Sequence, residues 1–156
     1  MAFYLDDLVV GQRFASATHI VDEEQIKSFA RQYDPQYFHV DVEAARDSLF
    51  GGLAASGWHT AAITMKLNVE GGLPIAGGII GSGAEVAWPK PTRPGDQLHV
   101  ESEIVEVVPS RSRPDRGVVT VLSRTLNQNG EVVQTLKARL VVPRNLRGGG
   151  AAARIE

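Results

Sequence analysis

The run from Gln12 to Ile20 sets Phe14, Ser16 and Thr18 on one side and predicts a short strand after a leading segment over residues 3–11. Asp22 then supplies an N-cap carboxylate, with Gln25 three residues on as in a capping box. Ile26, Phe29 and Ala30 give one apolar face, and Glu23 and Glu24 suit the positive end of a helix dipole, so a helix is expected to about Tyr33. Pro35 lacks an amide hydrogen and pushes the residue before it toward extended backbone, which breaks that helix at Asp34 and leaves Asp34 to His39 as a loop. Val40 to Arg46 reads as a second short helix capped by Asp41. The small residues Gly51 to Gly57 lead into a longer helix from Trp58 to about Val69. Its Ala61, Ala62, Ile63, Met65 and Leu67 spread over much of the circumference, the pattern of a buried helix.

From Gly83 onward the period changes to that of strands. Ala84 to Trp88 is followed by Pro89, Pro91 and the turn Arg93 to Asp96, then by alternating runs at Leu98 to Val108, Val118 to Leu126 and Val132 to Val142. Asn129-Gly130 predicts a two-residue hairpin, since both residues tolerate positive φ. Consecutive strands without intervening helices imply an antiparallel sheet. The expected fold is α+β: a curved antiparallel sheet wrapped around a long central helix, in a single domain over residues 1–145 with a flexible tail over 146–156.

Composition narrows the function. At 156 residues the chain holds one core and has no room for separate cofactor and substrate domains. A net charge of −2 argues against nucleic acid as a partner. The absence of cysteine removes disulfides, thiolate metal sites and a cysteine nucleophile. Met1 to Asp7 does not read as a secretory signal, and the longest apolar candidate, Leu73 to Ala87, is interrupted by Pro74 and several glycines. A cytoplasmic protein with no membrane partner is expected. The glycines from Gly77 to Gly83 precede strands and do not open a helix, so they are not a dinucleotide fingerprint. His19, His39, His59 and His99 lack metal-ligand spacing, and no metal is expected.

The chemistry gathers at Asp34 and His39. A bent loop can turn a carboxylate and a neutral imidazole toward one water, a workable acid/base pair near neutral pH. The plainer reading is an ordinary turn beside a packed histidine. Ser56 lacks the frame of a nucleophile elbow and reads as an N-cap. Arg111, Arg113 and Arg116 fit either the phosphates of coenzyme A or a solvated hairpin tip.

With an aromatic at Phe29, Asp34, His39, a small residue at Ala45 and the pair Ser56-Gly57 before the central helix, the chain resembles the hotdog-fold MaoC-like dehydratases and R-specific enoyl-CoA hydratases over roughly residues 5–143. It departs from their pattern in having Tyr33 before the Asp and Pro35-Gln36-Tyr37-Phe38 between Asp and His. The resemblance implies reversible hydration of a 2-enoyl-CoA or related thioester. Asp34 and His39 would activate water, and the Gly57 amide, with Ser56 beside it, would polarise the thioester carbonyl. Tyr37 and Phe38 either narrow the acyl pocket or pack on the sheet, and His59 either lines that pocket or meets a second subunit. No cofactor is implied beyond the coenzyme A or acyl-carrier portion of the substrate, and a homodimer or dimer of dimers is expected. A hotdog thioesterase is the alternative, although the stretch from Gly57 to Val69 contains no acid and Glu70 comes only at its end. A non-catalytic acyl-thioester-binding module is the third reading.

Overall fold

The computed structural model describes residues 1–146, so all but the first residue of the expected flexible tail lies outside the described residues. Six strands form one open sheet: β1 (Arg13–Ala15), β2 (His19–Ile20), β3 (Gly81–Ala87), β4 (Gln97–Pro109), β5 (Arg116–Leu126) and β6 (Val132–Pro143). The order is β1-β4-β5-β6-β3, with β2 also on β4, and every strand pairing is antiparallel. The helices are α1 (Glu23–Tyr33), the one-turn α2 (Tyr37–Val40) and α3 (Val42–Ala45), and α4 (Gly57–Leu67), which is prolonged by a π turn over Asn68–Gly72. The expected antiparallel sheet with a central helix is therefore present.

Several local expectations are corrected. The single strand over Gln12–Ile20 is two, because at Ser16 the hydroxyl accepts from the Val100 amide and donates to the Ala17 carbonyl, interrupting the ladder. The Asp34–His39 loop contracts to residues 34–36, since α2 begins at Tyr37 and carries His39. The helix expected over Val40–Arg46 is limited to α3, with Asp41 accepting from the Glu43 and Ala44 amides as its cap. Asp22 caps α1 through the Gln25 amide, but the Gln25 side chain turns to His19 and the Ile20 carbonyl and does not complete a capping box. The hairpin is longer than two residues: the Gly130 amide donates to the Asn127 carbonyl, only Gly130 has positive φ (74°), and the Asn127 side chain accepts from the Asn129 and Glu131 amides.

The inner face of the sheet carries two apolar clusters. One joins Val21, Ile26, Leu53, Ile63, Leu67, Leu98, Val100 and Val133; the other joins Leu5, Leu8, Leu73, Ile104, Val119, Val121, Leu140 and Val142. Ser102 stands between Val100 and Ile104 on β4 and pairs with Ser123 on β5, so a polar seam separates the clusters. The central helix buries His59, Thr60, Ile63, Thr64 and Leu67, His59 against Phe29 of α1, while Trp58, Ala62, Met65 and Val69 lie exposed on its other side. The helix buried on all sides is thus half-buried in the single chain, because an open sheet covers only one of its faces.

Candidate active site

Helix α1 delivers Asp34. Its amide still donates to the Ala30 carbonyl (2.8 Å), but Pro35 ends the helix and Asp34 adopts φ −153°, ψ 69°. The Gln36 amide then donates to the Asp34 carbonyl (2.8 Å) and Gln36 opens α2, which buries His39 at 3% exposure. The segment before α4 is sewn between two neighbours: the Ala54 amide donates to the Phe38 carbonyl and the Ala55 amide to the Thr92 carbonyl.

These constraints bring the predicted pair together. His39 Nε2 lies 3.3 Å from Asp34 Oδ2. His39 Nδ1 lies 2.6 Å from the Ala54 carbonyl oxygen, which can only accept, so the Nδ1 hydrogen is fixed there. In the neutral ring Nε2 is then a lone-pair acceptor facing a carboxylate, itself an acceptor. A water donating one O–H to each satisfies both. Burial pushes the Asp34 carboxyl upward, but the neighbouring Ser56 hydroxyl, the Gln36 side-chain amide (2.7 Å) and His39 together hold it below the usual carboxylate range. Asp34 is accordingly ionised at neutral pH.

The start of α4 forms the opposite wall. Ser56 occupies the N-cap position, where its carbonyl accepts from the His59 and Thr60 amides, but its hydroxyl makes no capping bond. That oxygen is buried without a well-formed hydrogen bond and sits beside Asp34. Gly57 is the first helical residue, where an amide has no acceptor within its own helix. Its missing side chain has a physical cause, since a Cβ there would stand 2.6–2.8 Å from the Trp88 indole ring.

A cavity of about 350 Å³ opens beside the pair, with His39, Ala55, Thr60 and Thr92 buried within it and Phe38, Phe50, Gly57 and Trp88 around them; Asp34 and Ser56 are not among its lining residues. Of the expected pocket residues Phe38 lines this space, as does Gly57, the expected source of the carbonyl-binding amide. Tyr37 is half-exposed and lies outside it, because the one turn of α2 that buries His39 directs Tyr37 toward solvent. His59 also lies outside it; its ring stacks on Phe29 (4.6 Å between centroids, 5° between planes), and burial together with nearby His19 lowers its pKa to about 4. Arg111, Arg113 and Arg116 are not among the lining residues and stand at the other end of β4. Glu70 is exposed and paired with Lys66 (2.6 Å), away from the cavity. Among the described residues no group of three or more His, Asp or Glu could hold a metal ion.

Phe50, Trp88 and Thr92 were not singled out from the sequence. Phe50 sits in the loop that Arg93 staples by donating to the Phe50, Gly52 and Leu53 carbonyls. The available signal is the proline-punctuated run from Trp88 to Pro94, whose three prolines stiffen the backbone beside an aromatic.

Residues 9–127 match the MaoC like domain family. The chain is similar to a MaoC-like dehydratase from Rhodospirillum rubrum, whose crystal structure superposes with a TM-score of 0.91 at 62% identity, covering 92% of this chain and 99% of that one. It is 39% identical over 127 residues to the Bacillus subtilis (strain 168) protein YdeM, itself uncharacterized, spanning 80% of this chain and 87% of that protein. The R-hydratase PhaJ1 from Pseudomonas aeruginosa shares the fold at a TM-score of 0.73 and 26% identity, covering 91% of this chain and 86% of that one.

Proposed function

The chain belongs to the MaoC-like domain family, whose likeness to a dehydratase and an R-hydratase supports a function of the dehydratase or hydratase kind, and we propose that it reversibly hydrates a 2-enoyl thioester to the 3-hydroxyacyl thioester at Asp34 and His39. The observation that carries this reading is the pair of facing acceptors, His39 Nε2 and Asp34 Oδ2, 3.3 Å apart, with the imidazole tautomer fixed by the Ala54 carbonyl.

In the forward direction, a water held by both groups attacks the β-carbon of the enoyl thioester. His39 Nε2 takes one water proton as the C–O bond forms, and electron density moves through the α-carbon onto the thioester oxygen. The Gly57 amide at the positive end of α4 stabilises that oxygen. The imidazolium, facing ionised Asp34, then returns the proton to the α-carbon. The proton taken from water is the proton delivered, so the cycle closes without a cofactor or metal. The same steps in reverse dehydrate the 3-hydroxyacyl thioester.

The position of Glu70, exposed and bound to Lys66, speaks against a thioesterase that would use an acid on the central helix. The substrate carrier is coenzyme A or an acyl carrier protein, and nucleic acid and membrane are not partners. We place the protein in the cytoplasm; among the described residues no helix is long and apolar enough to cross a membrane. We propose a homodimer or dimer of dimers, supported by the exposed stripe Trp58, Ala62, Met65 and Val69 on α4 and by the unpaired sheet edge at β3. A stable monomer by light scattering at micromolar concentration would reject it.

The reading is tested by mixing the purified protein with crotonyl-CoA and a panel of longer and branched 2-enoyl-CoAs. Loss of enoyl absorbance, with a product heavier by one water, is expected. Release of free thiol would identify a thioesterase, and binding without either change would identify a non-catalytic module.

A further inference from the structure

Gln134 on β6 is fully buried, at 0% exposure, and its amide is committed in one orientation. The Trp88 indole nitrogen is a donor only, so at 2.9 Å it must give its hydrogen to Gln134 Oε1. Gln134 Nε2 is thereby turned to donate to Thr64 Oγ1 at 3.0 Å. The Thr64 hydroxyl sends its own hydrogen to the Thr60 carbonyl (2.9 Å), which leaves Thr125 as the donor in the 2.6 Å contact between the two threonine hydroxyls. Every hydrogen bond in this chain therefore runs in one direction, and it ends on the backbone of α4. A leucine at position 134 would fill the core at lower desolvation cost. The network gains instead a fixed place for one side chain, Trp88.

That place matters because of what the indole touches. Its ring is pressed against Gly57, close enough that a Cβ there would overlap it. The helix that supplies the Gly57 amide also supplies Thr60 and Thr64, so wall and amide are tied to one element. Phe38 and Phe50, which pack on each other at 5.1 Å, line the same cavity. A thioester whose carbonyl meets the Gly57 amide must run its acyl group through the space these rings leave. The cavity of about 350 Å³ lies at the low end for ligand sites. The reacting water, the thioester and the start of the carrier arm occupy much of that, leaving room for only a short acyl group.

We propose that Trp88 is the specificity-determining wall restricting the site to short-chain 2-enoyl thioesters, and that Gln134 is the residue positioning it. The identity of the thioester rests on the hydratase reading above; the wall rests on the packing of Trp88. The test compares kcat/KM for crotonyl-CoA and trans-2-octenoyl-CoA in the wild type, Trp88→Ala, Trp88→Leu, Trp88→Phe and Gln134→Leu, with thermal unfolding to verify that each variant is folded. The wild type is expected to prefer crotonyl-CoA by at least tenfold. Trp88→Ala and Trp88→Leu narrow that preference tenfold or more, whereas Trp88→Phe, which keeps a ring, retains most of it. Gln134→Leu narrows it severalfold through KM for the long substrate; a merely structural role would lower both substrates alike.

In parallel, calorimetric titration with butyryl-CoA and octanoyl-CoA reads the wall without chemistry. If no variant turns over but butyryl-CoA is preferred by the wild type and not by Trp88→Ala, the wall stands and the hydratase reading falls. A wild type that accepts or binds both lengths equally, a folded Trp88→Ala or Trp88→Leu with the wild-type preference, or no binding of either thioester would overturn the proposal.

Discussion

His59 offers a perturbation whose size can be worked out from the structure. It is 8% exposed, its ring lies flat on Phe29, and its Nδ1 has no hydrogen-bond partner. Burial penalises the charged ring, with a smaller contribution from His19, and the pKa falls from 6.5 to about 4. The folded value is below the unfolded one, so between them the unfolded chain binds the extra proton and stability rises with pH. The contribution is complete above about pH 6.5 and declines as the pH drops toward 4. At about 1.4 kcal/mol per pH unit, the two values give a loss of about 2 kcal/mol by pH 5. His59→Phe retains an aromatic ring against Phe29 and removes the proton site. Urea unfolding at pH 7.5, 6 and 5 should show the wild type losing about 2 kcal/mol more than His59→Phe over that range, carboxylate effects being common to both. Parallel pH profiles for the two proteins would refute the reasoning.

Other outcomes follow from single contacts. Gly57→Ala drives a Cβ into the Trp88 ring and must displace it, so turnover of crotonyl-CoA should fall at least tenfold while the Trp88 fluorescence maximum shifts, read in a Trp58→Phe background. Arg93→Met leaves the Phe50, Gly52 and Leu53 carbonyls without their guanidinium donor; a loss of about 2 kcal/mol is expected in chemical unfolding, together with faster proteolysis near Phe50. Asp22→Ala removes the acceptor for the Gln25 amide at the start of α1 and should cost about 1 kcal/mol in the same assay, leaving KM for crotonyl-CoA within twofold.

Much of the architecture was legible because it depends on local signals. Alternation in Leu98–Val108 and Val118–Leu126 reports a half-buried sheet, and Asp22 and Asp41 act as the caps their positions imply. Asp34 and His39 were legible through Pro35, which forces the bend that lets their side chains meet. What was not legible depends on partners distant in sequence. The Ser16 hydroxyl that splits the first strand bonds to Val100, and the Gln134 amide that orients Trp88 lies 46 positions away from it. Neither has a period or spacing to reveal it. The setting of His59 was open for the same reason: its helical position puts it on the buried face, but only the packing of α1 against α4 sets its ring on Phe29. The exposed side of α4 shows the converse, since apolar residues around a helix indicate burial without saying whether the covering surface belongs to the same chain.

The central claim is that Asp34 and His39 act on one shared water, and hydration of crotonyl-CoA by the wild type, Asp34→Asn, His39→Ala and the double variant tests it most directly. Each single change should lower kcat by roughly a hundredfold or more. The double variant should fall little further than the worse single one, because either loss already disables the shared unit. Wild-type turnover in either single variant, or losses that multiply in the double variant, would contradict the account.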